Sequence, residues 1–169
     1  MKIIIIILMF CINLYCNEHV KKDITKLNNK LEQAYLESLV ISIDKHSKEY
    51  KVNPKIVIAI FKAESNFNIN AVNYESRDFG IGQINALNMK HYEFDLGKQM
   101  TNLDYAIKNT YIILNDLRNK YCSKSVEHTQ WFTRYHSYSS ARRKIYYNVL
   151  KPFLEAVNFK EGGECKWIN

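Results

Sequence analysis

One carboxylate, Glu64, lies where an apolar segment meets a polar loop that contains several glycines. In a helix, Val57, Ile60 and Phe61 form one apolar stripe, and Glu64 continues that stripe at i+7 from Val57. Burial removes hydration from a carboxylate and raises its pKa. An acid that stays protonated near neutral pH is what cleavage of a glycosidic bond requires, whereas a helix-terminal Glu that reaches solvent is an ordinary surface residue. The residues alone leave both interpretations open.

The loop that follows supplies further polar groups. Gln83 comes after Gly80 and Gly82, and glycines let a backbone approach a ligand closely. Glu75 and Asp78 are candidates for the second carboxylate that a hydrolase usually needs. A short Asp also organises loops by bonding nearby backbone amides, so Asp78 has a structural interpretation as well.

Helical patterns surround this loop. Asn53 before Pro54 is a start signal, with Asn as the N-cap and Pro at the first helical position, and predicts a helix to about Ser65. Apolar spacing predicts four more helices, over residues 31–50, 103–121, 125–132 (capped by Ser125) and 140–157, the last with a kink near Pro152. Residues 66–100 are expected to form loops and short turns. Strand signals are weak, so the sequence predicts an all-α or nearly all-α domain.

The N-terminus has the features of an export signal. Lys2 precedes an apolar run, residues 3–12, that is too short to span a bilayer. We expect residues 1–16 to be the signal, residues 17–30 a loosely ordered polar lead-in, and residues 31–169 the single domain that this length allows. Without cleavage, the segment would tether the protein to the membrane.

The cysteines and charges suit an exported protein. Removal of residues 1–16 leaves Cys122 and Cys165, and an even pair in an oxidising compartment predicts a disulfide that closes a loop of about 40 residues. The formal charge of +7 favours polyanionic surfaces, of which the cell envelope is the most available to an exported chain. The five histidines are scattered without metal-ligand spacing, so we expect no metal and no cofactor.

Four segments together resemble the soluble lytic transglycosylase (SLT) domain, which has a lysozyme-like fold of the goose type. In chain order they are Glu64-Ser65 through Asn73, Asp78 through Asn85, Asn102-Leu103, and Tyr135-His136-Ser137-Tyr138 followed by Arg143 and Tyr147. The resemblance covers roughly residues 35–155. More narrowly, the chain is similar to the small exported transglycosylases that accompany type III and type IV secretion and conjugation machines.

The resemblance implies a mechanism with one carboxylate. Glu64 would protonate the oxygen between N-acetylmuramic acid (MurNAc) and N-acetylglucosamine (GlcNAc). It would then take the proton of the muramic 6-hydroxyl as this attacks its own C1, giving a 1,6-anhydro sugar. A second carboxylate is unnecessary because the nucleophile is intramolecular.

The resemblance also implies roles around that acid. Gln83 and Tyr135 would contact substrate, and Tyr135 matches the tyrosine that points at the acid in the family. Asn73, Asn85 and Ser65 are assigned to the same substrate site, with Asn73 standing where many members have a Ser that orients the acid.

One further difference from the family concerns Gly82, which stands where Met is frequent. We therefore expect one wall of the sugar site to be more open.

We thus expect an exported, periplasmic, monomeric transglycosylase that acts on peptidoglycan. Components of a secretion or conjugation machine are its expected protein partners, and nucleic acid is not expected. Two alternatives remain open. One is a lysozyme-like hydrolase that uses Glu64 with Glu75 or Asp78. The other is a non-catalytic basic helical module that binds cell-wall glycan or nucleic acid.

Overall fold

The computed structural model describes residues 17–122 and 130–160, which are mostly helical, as predicted, and also contain one small antiparallel sheet. Residues 17–27 are helical (α1). The later elements are α2 (Gln33–Tyr50), α3 (Pro54–Ser65), β1 (Val72–Asn73), β2 (Asp78–Phe79), β3 (Ile84–Asn85), α4 (Ala86–His91), α5 (Leu96–Thr101), α6 (Leu103–Tyr121), a 3-10 helix (Trp131–Tyr135) and α7 (Ser140–Ala156). None of the helices in this part of the chain combines the length and apolar composition that a membrane crossing needs.

Helix α3 is the centre of the core and has the predicted bounds. Its start follows from the Asn53-Pro54 pair, because the Asn53 side chain accepts a hydrogen bond from the Lys55 N–H at 3.0 Å. Six consecutive residues, Ile56 to Phe61, are fully buried, as expected of a helix that is apolar on all sides. The helix packs against α2 and α7. Each large aliphatic side chain buried here stabilises the fold by about 1.5–3 kcal/mol.

The loop expected over residues 66–100 contains regular structure. Strands β1, β2 and β3 form an antiparallel sheet in that order, and α4 and α5 follow it. Each strand has only two residues, so no alternation of apolar and polar side chains exists to be recognised in the sequence. The sheet connects the end of α3 to α4.

Residues 17–30 are not a loosely ordered lead-in. Residues 17–27 form α1, and Val20 and Ile24, one helical turn apart, are buried in the core. Leu27 follows at i+7 from Val20 and packs against the core, but three apolar side chains in a short polar segment are a weak helical signal. The stability of α1 comes from tertiary packing.

The C-terminal helices were predicted more accurately. Helix α6 has the predicted bounds, and α7 extends over Ser140–Ala156 with Pro152 inside it. The structure places a 3-10 helix at Trp131–Tyr135. Most of the helix predicted over residues 125–132, with its cap Ser125, lies outside the described residues and stays a prediction. The same holds for the signal at residues 1–16 and the partner cysteine Cys165.

Candidate functional site

A cavity of about 510 Å³ lies between the end of α3, the small sheet and the 3-10 helix. It brings together five of the six residues assigned to the site from sequence: Glu64, Asn73, Gln83, Asn85 and Tyr135. Its other lining residues are Ser76, Asp78, Ile84, Asn88, His136 and Arg142. The cavity is therefore polar and carries charges of both signs.

The sheet supplies one row of side chains to this cavity. Asn73 pairs with Asp78 across β1 and β2, and Asp78 pairs with Asn85 across β2 and β3. Residues directly opposite each other in a sheet point to the same face, and all three of these line the cavity. The Asn85 amide donates to Asp78 Oδ1 at 2.7 Å, and the Ser76 hydroxyl donates to Asp78 Oδ2 at 2.5 Å. Asp78 thus holds the sheet and its turn together, in agreement with its structural interpretation.

Glu64 has one close polar partner from a distant part of the chain. The Tyr146 hydroxyl on α7 donates to Glu64 Oε1 at 2.6 Å. Tyr146 is buried, and its ring stacks on the His136 ring with centroids 4.6 Å apart and planes at 14°. Because the phenol is directed at Oε1, Oε2 is the oxygen left to carry an acidic proton towards the cavity.

The pKa of Glu64 is raised from 4.5 to about 7, which favours the perturbed acid over the surface residue, the two interpretations that the sequence left open. Burial is the largest cause, since it disfavours the carboxylate. The hydrogen bond from Tyr146 lowers this pKa because it stabilises the charged form, and the nearby Asp78 carboxylate raises it. Burial also raises the pKa of the Tyr146 phenol well above 10, so the phenol keeps its proton. Near neutral pH, Glu64 exists in both protonation states.

Tyr135 lines the cavity but is not the phenol that bonds the carboxylate. Its hydroxyl donates to the Gly82 carbonyl oxygen at 2.7 Å, and this bond fixes the loop that contains Gly80 and Gly82 (the glycine loop). A Cβ on Gly82 would lie 2.5 Å from Thr110 Oγ1 and 2.8 Å from the Tyr135 hydroxyl. The expectation of a more open wall at Gly82 is therefore wrong, because these two side chains occupy the space beside it.

Gln83 lines the cavity in a constrained conformation. Its backbone has φ 47°, in the left-handed region that favours glycine. Its side-chain amide donates to the carbonyl oxygens of Ala71 at 3.0 Å and Gly80 at 2.9 Å. Both donors are thus used within the loop, and the carbonyl oxygen Oε1 is what Gln83 offers to a ligand.

Asn73 and Ser65 have structural contacts where the sequence suggested substrate contacts. The Asn73 side chain lines the cavity, and its oxygen accepts from the backbone N–H groups of Glu75 and Ser76 at 3.1 and 3.2 Å. Ser65 is absent from the cavity lining, and its hydroxyl donates to the Ile81 carbonyl oxygen at 2.7 Å. Ser65 therefore joins the end of α3 to the glycine loop.

Glu75 is exposed and does not line the cavity. Of the two candidates for a second carboxylate, only Asp78 lies beside Glu64, and both of its oxygens already accept hydrogen bonds. Within residues 17–122 and 130–160, no group of three or more His, Cys, Asp or Glu residues is arranged to hold a metal ion.

Tyr146 is the site residue that sequence reasoning missed. It lies 82 residues from Glu64, and its neighbour Tyr147 was the tyrosine quoted in the fourth family segment. One signal was present: Tyr146, Leu150 and Leu154 fall at i, i+4 and i+8, and all three are buried. That stripe places Tyr146 on the face of α7 that packs inward.

The comparisons with known proteins agree with this geometry. The family model of the transglycosylase SLT domain matches residues 41–146, more than half of the chain and all of the cavity lining. No curated protein and no solved structure matches the chain. The match contains Glu64, the small sheet, Tyr135 and Tyr146. The chain therefore belongs to the SLT transglycosylase family, whose lysozyme-like domain acts on the glycan strands of peptidoglycan.

Proposed function

We propose that this protein cleaves the β-1,4 bond between MurNAc and GlcNAc without water and leaves a 1,6-anhydro-MurNAc end. The observation that carries this proposal is the environment of Glu64: a carboxyl group with a pKa of about 7, bonded by Tyr146 in a polar cavity. A group that is half protonated near pH 7 suits a reaction in which it first gives and then takes a proton.

The first step in the proposed reaction is proton donation. Glu64 in its acid form gives the proton on Oε2 to the oxygen of the glycosidic bond, and the C1–O bond breaks. The carboxylate that results is stabilised by the O–H of Tyr146 at Oε1. The Tyr146 bond therefore strengthens as charge develops on Glu64.

The second step is proton removal. The carboxylate of Glu64 takes the proton of the muramic 6-hydroxyl as the oxygen forms its bond to C1, and the acid form is restored. The hydroxyl belongs to the sugar that carries C1, so no second carboxylate has to activate a water molecule. Gln83 Oε1 would accept from an N-acetyl N–H or a sugar hydroxyl, because its amide donors are used within the loop.

Hydrolysis of the same bond is the second candidate. It is favoured by one observation, that the Asp78 carboxylate lines the cavity and raises the pKa of Glu64. Against it, the two oxygens of Asp78 accept hydrogen bonds from Ser76 and Asn85, which suit a fixed structural carboxylate.

Mass spectrometry of muropeptides released from purified peptidoglycan separates these reactions. We expect products that end in anhydro-muramic acid, one water lighter than reducing ends, and no release by Glu64→Gln. Reducing ends would favour hydrolysis with Asp78, and retained binding without release by the unmodified protein would favour a non-catalytic module.

The wider role is proposed on the family resemblance. We infer that the protein is exported to the periplasm as a monomer with a Cys122–Cys165 disulfide. There it would open the wall for a secretion or conjugation machine. The location is tested by separating cells into fractions and measuring muropeptide release from purified peptidoglycan by the periplasmic fraction and by the remaining fractions.

A further inference from the structure

A second, smaller cavity adjoins the cleft. It has a volume of about 80 Å³ and shares Asn88, Tyr135 and His136 with the 510 Å³ cavity. Ser137 and Tyr138 add two hydroxyl groups to its wall. Its size suits a short branch of a ligand held in the main cleft and not a further sugar ring.

Two arginines border this pair of cavities. Arg142, in the first turns of α7, lines the cleft, and Arg134 lines the smaller cavity. Within residues 17–122 and 130–160 neither arginine forms an ion pair, although the Arg134 guanidinium lies 3.9 Å from the centre of the Tyr121 ring. Among the described residues, no carboxylate is therefore paired with either guanidinium group.

The cleft also contains acidic groups. Glu64 and Asp78 are the carboxyl groups among its lining residues. An anionic branch is repelled by the Asp78 carboxylate and attracted to the Arg142 guanidinium, so the charges favour one orientation of a bound ligand. Guanidinium groups bind carboxylates through two parallel hydrogen bonds, which adds geometric selectivity.

We propose that Arg142 and the smaller cavity beside Arg134 form a subsite for the carboxylate-bearing branch of MurNAc. This inference depends on the proposed function, because only there does the ligand carry such a branch. The branch is the 3-O-lactyl group, whose carboxylate is free or extended by a peptide stem that carries its own carboxylates. GlcNAc has no branch of this kind. Arg142 is a specificity-determining residue in this proposal and takes no part in proton transfer.

Binding to three ligands tests the subsite. In a Glu64→Gln background, which prevents turnover, affinities are measured calorimetrically for three glycan fragments: one with peptide stems, one with free lactyl carboxylates, and the neutral chitin hexamer. Arg142→Ala is compared with Lys144→Ala, which removes one positive charge from the same helix at an exposed position that lines neither cavity.

We expect Arg142→Ala to weaken binding of at least one muramic ligand about tenfold and to leave chitin binding unchanged. If only the ligand with peptide stems binds more weakly, Arg142 contacts the stem carboxylates. If both muramic ligands bind more weakly, Arg142 contacts the lactyl carboxylate. Lys144→Ala should change none of the three. Arg142→Lys, which keeps the charge but not the paired donors, should recover part of the loss.

Equal weakening of all three ligands by Arg142→Ala, or no weakening at all, would overturn the subsite. Release of anhydro-muropeptides by the Arg142→Ala protein with an unchanged KM would leave the proposed function standing and reject this inference alone. Failure of the unmodified protein to release any muropeptide would instead reject the proposed function.

Discussion

Glu64 and Asp104 are two carboxyl groups whose surroundings shift their pKa values in opposite directions. Burial raises the pKa of Glu64 to about 7, and the hydrogen bond that it accepts from a described residue comes from a neutral phenol, that of Tyr146. Partial burial acts in the same direction on Asp104. There, hydrogen bonds from Lys45 and Ser42 and the nearby His46 outweigh it and lower the pKa to about 2.

The difference lies in the partners that the fold supplies. Asp104, in the first turn of α6, accepts from the Lys45 ammonium at 2.9 Å and from the Ser42 hydroxyl at 2.8 Å. His46 Nε2 lies 3.0 Å from Asp104 Oδ1, and these contacts join α2 to α6. Among the described residues, the Glu64 carboxyl forms no ion pair. The Asp104 carboxylate therefore holds two helices together, and the Glu64 carboxyl group exists in both protonation states near neutral pH.

Glu64→Gln gives the largest expected effect. We expect muropeptide release to fall about a thousandfold, because the amide neither gives nor takes the proton. The melting temperature should be unchanged or higher, because the charged form of a buried carboxylate is unfavourable in the folded state. Asp104→Asn is the matched control, since it changes the same group on another helix. Loss of activity in Asp104→Asn to the same extent would remove the distinction between the two sites.

The pH dependence of cleavage gives the next largest effect. With a pKa of about 7, the acid form of Glu64 is one half of the total at pH 7 and about one hundredth at pH 9. Release should therefore drop about fiftyfold between pH 7 and pH 9. Initial rates over pH 5–9 measure this limb, with circular dichroism to show that the fold persists. A rate that stays constant above pH 7 would exclude Glu64 as the proton donor.

Tyr146→Phe should lower release about tenfold, because it removes one hydrogen bond to the charged form of Glu64 and keeps the ring stacked on His136. The same change should move the fall in cleavage rate to higher pH, because the lost hydrogen bond had lowered the pKa of Glu64. Tyr147→Phe is the control on the adjacent position. A slower enzyme with an unmoved pH limb would indicate that Tyr146 acts through packing alone.

Asp104→Asn gives the smallest effect and only on stability. We expect a loss of about 1 kcal/mol in the free energy of unfolding at pH 7, because the half-exposed carboxylate is partly screened by water. The folded pKa lies below the unfolded value of 3.8, so this contribution is present above pH 3.8 and is lost as pH falls towards 2. Urea unfolding at several pH values measures it. A difference in the free energy of unfolding between the two proteins that increases as the pH falls towards 2 would contradict this prediction.

The sequence was sufficient for features that depend on local chemistry. Asn53-Pro54 set the start of α3, and the i+7 position after Val57 placed Glu64 on the apolar stripe of that helix. These features need only residues that are close in sequence. The order and spacing of the segments from Glu64 to Tyr138 were sufficient to predict the family, because a family resemblance is recognised from residue types and their spacing along the chain.

Contacts between residues that are far apart in the chain could not be predicted from the sequence. Periodicity does not show which of Tyr135, Tyr146 and Tyr147 faces Glu64, because the answer depends on how α7 and the 3-10 helix pack on α3. The Asn73 side chain bonds backbone groups of its own turn, and the Ser65 side chain bonds the backbone of Ile81, uses that residue type leaves undecided. The two-residue strands are too short to produce an alternation pattern.

A carbon-13 NMR titration of the side-chain carboxyl groups measures both pKa values, because Glu64 and Asp104 are observed in one sample. We expect Glu64 to titrate near pH 7 and Asp104 near pH 2 in the folded protein. A Glu64 midpoint at the ordinary value of 4.5 would contradict this expectation, since the group would then be almost fully charged at neutral pH and unable to act as the proton donor.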